Sequence, residues 1–159
     1  DKYVALGDSY SSGTGTGSYS LSSSCMRSTY AYPYLVAQQR GNTALTFVAC
    51  SGAKTTDLMS NQISSVTSDT KIVTVTIGGN DAGCSSVIIS CVTLGCSSAI
   101  SSAQNYIRNT LPGRLNTVYS AIASRAPGAQ VISFQLRSAI WIASSSSTIT
   151  TATIPAIWC

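Results

Sequence analysis

The sequence has no histidine in 159 residues. That absence removes imidazole from any scheme built on these residues alone, so a mixed Cys/His zinc site and a Ser/His pair are both excluded within them. Charge is scarce too. Only 9% of residues are Asp, Glu, Lys or Arg, with nine cations against five anions and a formal net charge of +4. The cations are scattered from Lys2 to Arg137 without forming a basic stripe, so nucleic acid is not an expected partner. No apolar run approaches the ~18 residues of a membrane span, which argues against stable membrane insertion, and no signal-peptide pattern is present. There is no C-x-x-C pair, and no metal or organic cofactor is called for.

What is present fits one domain, 1–159, with a surface covered largely by Ser, Thr, Asn and Gln. The six cysteines are even in number, and disulfides are the reading that survives the loss of histidine. Cys25 is expected to pair with Cys50 and Cys91 with Cys96, leaving Cys84 and Cys159 to pair by default or stay free. An oxidising compartment follows, hence a secreted, extracellular protein. The first apolar run starts directly after Asp1-Lys2, as expected of a mature form whose leader has been removed.

That run, Tyr3-Val4-Ala5-Leu6, leads into Gly7-Asp8-Ser9-Tyr10-Ser11-Ser12-Gly13. A buried strand ending in such a turn delivers a serine hydroxyl to the edge of a sheet, where sites in α/β folds gather. Ser9 is therefore a nucleophile candidate, against the plainer reading that Gly, Asp and Ser merely form a turn. Residues 14–24 are polar and glycine-rich, without the spacing or lysine of a phosphate loop, so a surface loop is expected. Pro33 and Gly41 bracket a short helix over 34–40.

Leu45-Thr46-Phe47-Val48-Ala49 reads as a second strand running into Cys50-Ser51-Gly52-Ala53, a small-residue turn that could expose a backbone amide. Leu58, Met59, Ile63 and Val66 recur at helical spacing, with Thr55 or Thr56 as N-cap. Ile72-Val73-Thr74-Val75-Thr76-Ile77 has the β-branched character of a central strand and opens into Gly78-Gly79-Asn80-Asp81. An Asn there can aim its amide at a reacting oxygen, or it can belong to an ordinary Asn-Asp turn. A cysteine-bearing loop is expected next. Ile100, Ile107, Leu111, Leu115, Val118 and Ile122 then mark an amphipathic segment, kinked or broken at Pro112-Gly113. Gln130-Val131-Ile132-Ser133-Phe134 is the fourth strand. Residues 139–159 carry no assignable structure.

Parallel strands gather their C-terminal ends on one side, so Ser9, Gly52 and Asn80 could converge as acyl transfer requires. The Ser9 and Gly52 backbone amides and the Asn80 side chain would then form an oxyanion hole. Gly7-Asp8-Ser9-Tyr10, Gly52 and Gly78-Gly79-Asn80-Asp81 resemble the first three blocks of the SGNH (GDSL-type) hydrolases, nearest to secreted microbial lipases and esterases. The likeness runs from about Tyr3 to Ile132. It implies a three-layer α/β/α sandwich with a central parallel sheet of flavodoxin-like type, Ser9 as nucleophile, the oxyanion hole just named, and Asp8 and Asp81 as supports of their turns.

The departure is at the end of the chain, where the family's Asp-x-x-His block and the strand before it are not recognisable. Without imidazole, Ser9 keeps its proton at neutral pH and is a poor nucleophile, and an ordinary Asp is a weak substitute. The expected function is a secreted hydrolase of small-molecule or lipid esters, acting as a monomer, in a chain whose final third is missing, altered or incorrectly read. The alternative is a catalytically silent acyl- or glycan-binding protein on the same scaffold.

Overall fold

The computed structural model describes residues 1–41, 44–93, 95–136 and 149–154. Five strands, β1 (Lys2–Gly7), β2 (Ala44–Phe47), β3 (Thr70–Thr76), β4 (Gln130–Leu136) and β5 (Ile149–Ile154), form one sheet in the order β2-β1-β3-β4-β5. Every neighbouring pair is parallel. Helices flank this sheet: α1 (Ser9–Ser12), α2 (Tyr32–Gln39), α3 (Thr55–Asp57), α4 (Cys84–Thr93), α5 (Ser97–Asn109) and α6 (Leu111–Arg125). The result is the expected α/β sandwich with a central parallel sheet.

Strand alternation sends neighbouring side chains to opposite faces. On one face Val4, Leu6, Val73, Val75 and Val131 pack against Leu115, Val118 and Ile122 of α6 and against Leu58, Ile63 and Val66. The buried positions of α6, Leu111, Leu115, Val118, Tyr119 and Ile122, recur every three or four residues, so one stripe of the helix covers the sheet. Each fully buried aliphatic side chain there contributes about 1.5–3 kcal/mol relative to exposure. The opposite face is thinner in hydrocarbon: Tyr3, Ala5, Ile72 and Ala37 of α2 form its apolar cluster, beside the hydroxyls of Thr74 and Thr76.

Several expectations need correction. The tail contains a strand: β5 pairs with β4 over the register Val131 to Ile149 through Leu136 to Ile154, because Ile-Thr-Thr-Ala-Thr-Ile is rich in β-branched residues. The other residues of the tail lie outside those described. The loop expected after Gly83 is helix α4, and only Val87 of its side chains is buried, which is why no inward stripe marks it in the sequence. The segment after Gly52 is not one continuous helix. It runs from α3 through a π turn, Leu58–Gln62, to a 3₁₀ turn, Ile63–Ser65. Its N-cap is Lys54 and not a threonine, with Asp57 accepting the Lys54 backbone N–H at 2.8 Å. The long amphipathic segment breaks at Thr110, and Pro112 sits in the first turn of α6, where its missing N–H costs nothing.

Cys25 pairs with Cys50 and Cys91 with Cys96, as expected. The pairing considered for Cys84 and Cys159 involves a residue outside those described. No helix among the described residues is long and apolar enough to cross a membrane.

Candidate active site

In this strand order the chain leaves β1 toward β2 on one side and returns to β3 on the other. The crevice between the C-terminal ends of β1 and β3 is therefore the topological switch point, where ligands bind in open parallel sheets. Ser9 follows β1 and Asn80 follows β3.

The Ser9 turn is held from several directions. Gly7 has φ +130, and a Cβ there would lie 2.3 Å from the Thr76 carbonyl oxygen, so only glycine lets β1 and β3 approach this closely. Gln62 clips the same residue, accepting the Gly7 N–H at 2.8 Å and donating to its carbonyl at 2.9 Å. Asp8 donates its N–H to the Thr76 carbonyl at 2.9 Å, while its carboxylate caps α1 by accepting the Tyr10 N–H at 3.1 Å. Ser9 is then the first residue of the turn, half-buried. Neither its hydroxyl nor its N–H is hydrogen-bonded among the described residues.

The other two turns are tied to the first. The Cys50 N–H donates to the Gly7 carbonyl at 3.0 Å, and the disulfide to Cys25 anchors the Gly52 turn from the other side. Gly52 has φ +84, in the left-handed region, and its own N–H is unbonded among the described residues although those of Ser51 and Ala53 are engaged. Asn80 donates from Nδ2 to the Ala53 carbonyl at 3.0 Å, which fixes the amide and leaves its second hydrogen available. Asp81 accepts the Thr55 N–H at 2.9 Å and the Thr55 hydroxyl at 2.5 Å, strapping the turn after β3 to α3.

Ser9 and Asn80 open into one cleft of about 340 Å³, lined also by Asp8, Tyr10, Thr14 and Ile88. Gly52 lines the adjoining cleft of about 500 Å³, with Arg27, Asp57 and Gln62. Thr14 joins the two, since its hydroxyl reaches the Ser51 hydroxyl at 3.0 Å. The structure thus brings Ser9 and Asn80 together, with Gly52 on the neighbouring rim.

Comparison with known proteins bears on the family and the fold. The model of the GDSL-like lipase/acylhydrolase family matches residues 5–157. The chain belongs to that family. Lipase 1 of Streptomyces coelicolor is 50% identical over 136 residues, which are 83% of this chain and 51% of that protein. The crystal structure of an extracellular lipase from Streptomyces rimosus superposes with TM-score 0.82 at 50% identity, over 85% of this chain and 59% of the other. That of phospholipase A1 from Streptomyces albidoflavus NA297 gives 0.80 at 46%, with the same coverage. The chain spans about half the length of the curated relatives it matches.

For a GDSL-like chain the electrostatics around Ser9 centre on Asp8. Burial pushes its carboxyl from 3.8 up to about 6, against the hydrogen bonds from the Tyr10 N–H and the Thr76 hydroxyl, and the Asp81 charge adds to the rise. A free hydroxyl beside unspent amide donors is suited to attack on a carbonyl and to holding the oxygen charge that forms.

Four residues of this region escape sequence reasoning: Gln62, Ser11, Thr76 and Tyr32. Each is a common polar residue with no motif of its own. For Thr76 alone a signal exists, as a hydroxyl at the last position of the central strand β3, just before the Gly78-Gly79-Asn80 turn.

Proposed function

We propose that this chain carries the nucleophile and the charge-stabilising donors of a secreted carboxylic-ester hydrolase of lipase/esterase type. The Ser9 oxygen bonds to the ester carbonyl carbon, and the carbonyl electron pair moves onto the oxygen. There the N–H groups of Ser9 and Gly52 and the Asn80 amide meet it. Collapse expels the alcohol, and water releases the acid. The observation that carries the reading is a Ser9 hydroxyl, without a hydrogen-bond partner among the described residues, sharing a cleft with Asn80 at the switch point of the sheet. Names of relatives add to it, being lipases and a phospholipase A1. Secretion is supported by the Cys25–Cys50 and Cys91–Cys96 disulfides and by the extracellular lipase of Streptomyces rimosus.

The hydroxyl proton must go to a base, and no imidazole is available among these 159 residues. General bases contribute about 10²–10⁴-fold, and serine hydrolases stripped of a triad member keep a residual ~10³–10⁴-fold over water. Imidazole supplied in solution tests the reading. With a chromogenic short-chain ester, hydrolysis by the wild-type chain is expected to rise with added imidazole, on the order of 10²-fold at saturation. Ser9→Ala is expected to show only the imidazole background. Equal rates in both proteins would overturn the assignment of Ser9. Saturable ester binding without turnover, unchanged by Ser9→Ala, would favour the silent binding protein instead.

A further inference from the structure

Behind the Ser9 turn lies a row of hydroxyls that the ester chemistry does not use. The Thr76 hydroxyl donates to the Asp8 carboxylate at 3.0 Å, stands 2.6 Å from the Ser11 hydroxyl, and this in turn lies 3.0 Å from the Tyr32 hydroxyl. Asp8, Ser11 and Thr76 are all buried. Each hydroxyl has one hydrogen, and an ionised carboxylate can only accept. Thr76 spends its hydrogen on Asp8, so Ser11 must donate to Thr76, and Tyr32 must donate to Ser11. The row therefore has a single direction, Tyr32 to Ser11 to Thr76 to Asp8, and its members polarise one another.

The far end is fixed as well. Tyr32 begins α2, and its ring meets Phe134 of β4 edge-on with centroids 5.1 Å apart. The near end is the N-cap of the helical turn whose first residue is Ser9. Gly7 makes the approach possible, since a Cβ there would stand 2.9 Å from the Ser11 oxygen.

We propose that Tyr32, Ser11 and Thr76 form a one-way chain of hydroxyl donors that holds the Asp8 carboxylate in its capping position, making Thr76 and Tyr32 positioning residues for Ser9. None of the three touches substrate. They act through Asp8, and so through the angle at which the Ser9 hydroxyl enters the cleft. This rests on the function proposed above only for its effect on turnover; the hydroxyl chain itself stands independently.

The titratable groups facing Asp8 are Tyr32 from α2 and Asp81 from the turn after β3. Asp81 is held by Thr55 and not by the hydroxyl row, so its influence stays constant across the variants. The experiment titrates the Asp8 carboxyl carbon by NMR in wild type, Thr76→Val, Thr76→Ser and Tyr32→Phe, with ester turnover measured in parallel in the presence of imidazole. Thr76→Val keeps the shape but removes the last donor, and is expected to raise the Asp8 midpoint by about one pH unit. Tyr32→Phe, two hydroxyls away, is expected to raise it less, and Thr76→Ser to restore it. Turnover is expected to fall on the order of tenfold in kcat for Thr76→Val with KM unchanged.

An Asp8 midpoint that stays at its wild-type position in both Thr76→Val and Tyr32→Phe would overturn the proposal. So would equal shifts in the two, which would indicate loosened packing in place of a graded chain. If Thr76→Val does not fold, Tyr32→Phe, which removes one oxygen from a half-buried ring, decides alone. Absence of turnover in every protein, wild type included, would count against the ester-hydrolase reading and leave the titration to judge the hydroxyl chain.

Discussion

Against α6, the sheet presents Val4, Leu6, Val73 and Val75, hydrocarbon meeting hydrocarbon; against α2, the same two strands present Tyr3, Thr74 and Thr76, which bond instead of merely packing. Tyr3 reaches the Thr74 hydroxyl at 2.8 Å, buried on that second face. The apolar face gains its free energy from area removed from water, which is insensitive to direction. Hydrogen bonds contribute less net stability each but demand distance and angle. The Ser9 turn is attached to the directional face through Asp8 and Ser11. One side of the sheet keeps the fold together, and the other sets where a hydroxyl points.

That division can be broken from either side. Ile122→Ala, on the fully buried stripe of α6, is expected to cost about 2–5 kcal/mol in urea unfolding, with turnover per folded molecule unchanged. A large loss of turnover at constant folded fraction would erase the distinction between the faces.

Asp8→Asn sharpens it through pH. The folded carboxyl holds its proton up to about 6, whereas the ordinary value is 3.8, so between these the folded state binds more protons than the unfolded. Stability conferred by the neutral form is therefore present below 3.8 and lost as pH rises through about 6. Asn cannot ionise and keeps an oxygen for Tyr10 and Thr76. Asp8→Asn is expected to be more stable than wild type above pH 6, by up to about 3 kcal/mol, and equal to it near pH 3.8. Denaturant midpoints measured across that range check it; a constant gap at all pH values would mean that ionisation is not the cause.

The smallest expected effect is that of Tyr3→Phe, which removes one buried hydrogen bond and leaves the ring. A loss of about 1 kcal/mol in chemical denaturation is expected, with the Asp8 titration moved less than in Tyr32→Phe, because Tyr3 bonds Thr74, which meets the row only through Tyr32. A shift as large as that of Tyr32→Phe would show that the hydroxyl face acts as one body.

The apolar face was largely legible in the sequence. Strands of Val and Ile, and a helix with Leu111, Leu115, Val118 and Ile122 in step, announce themselves because area burial needs only residue type and period. Helix α4 was not legible: Ile88, Ile89 and Val92 are exposed, so its apolar residues do not mark a buried side. Strand β5 was hidden for a related reason, since Ile149-Thr-Thr-Ala-Thr-Ile154 follows a serine run and shows no clean alternation. In the site, Ser9 and Asn80 stood out because glycine-flanked turns follow recognisable strands. Thr76, Ser11 and Tyr32 did not, because in a chain so rich in Ser and Thr one more hydroxyl carries no signal until its neighbours are known. Gln62, sixty-odd positions into the chain, meets Gly7 only once the π turn brings it there.

The central claim is that the Ser9 oxygen is the atom that bonds to an ester carbonyl. Treating the chain with an organophosphonate in the presence of imidazole, then mapping the modified peptide by mass spectrometry, tests it most directly. A single phosphonyl adduct on Ser9, absent from Ser9→Ala, is the predicted result. An unlabelled chain, or an adduct on another hydroxyl with Ser9 intact, would contradict it.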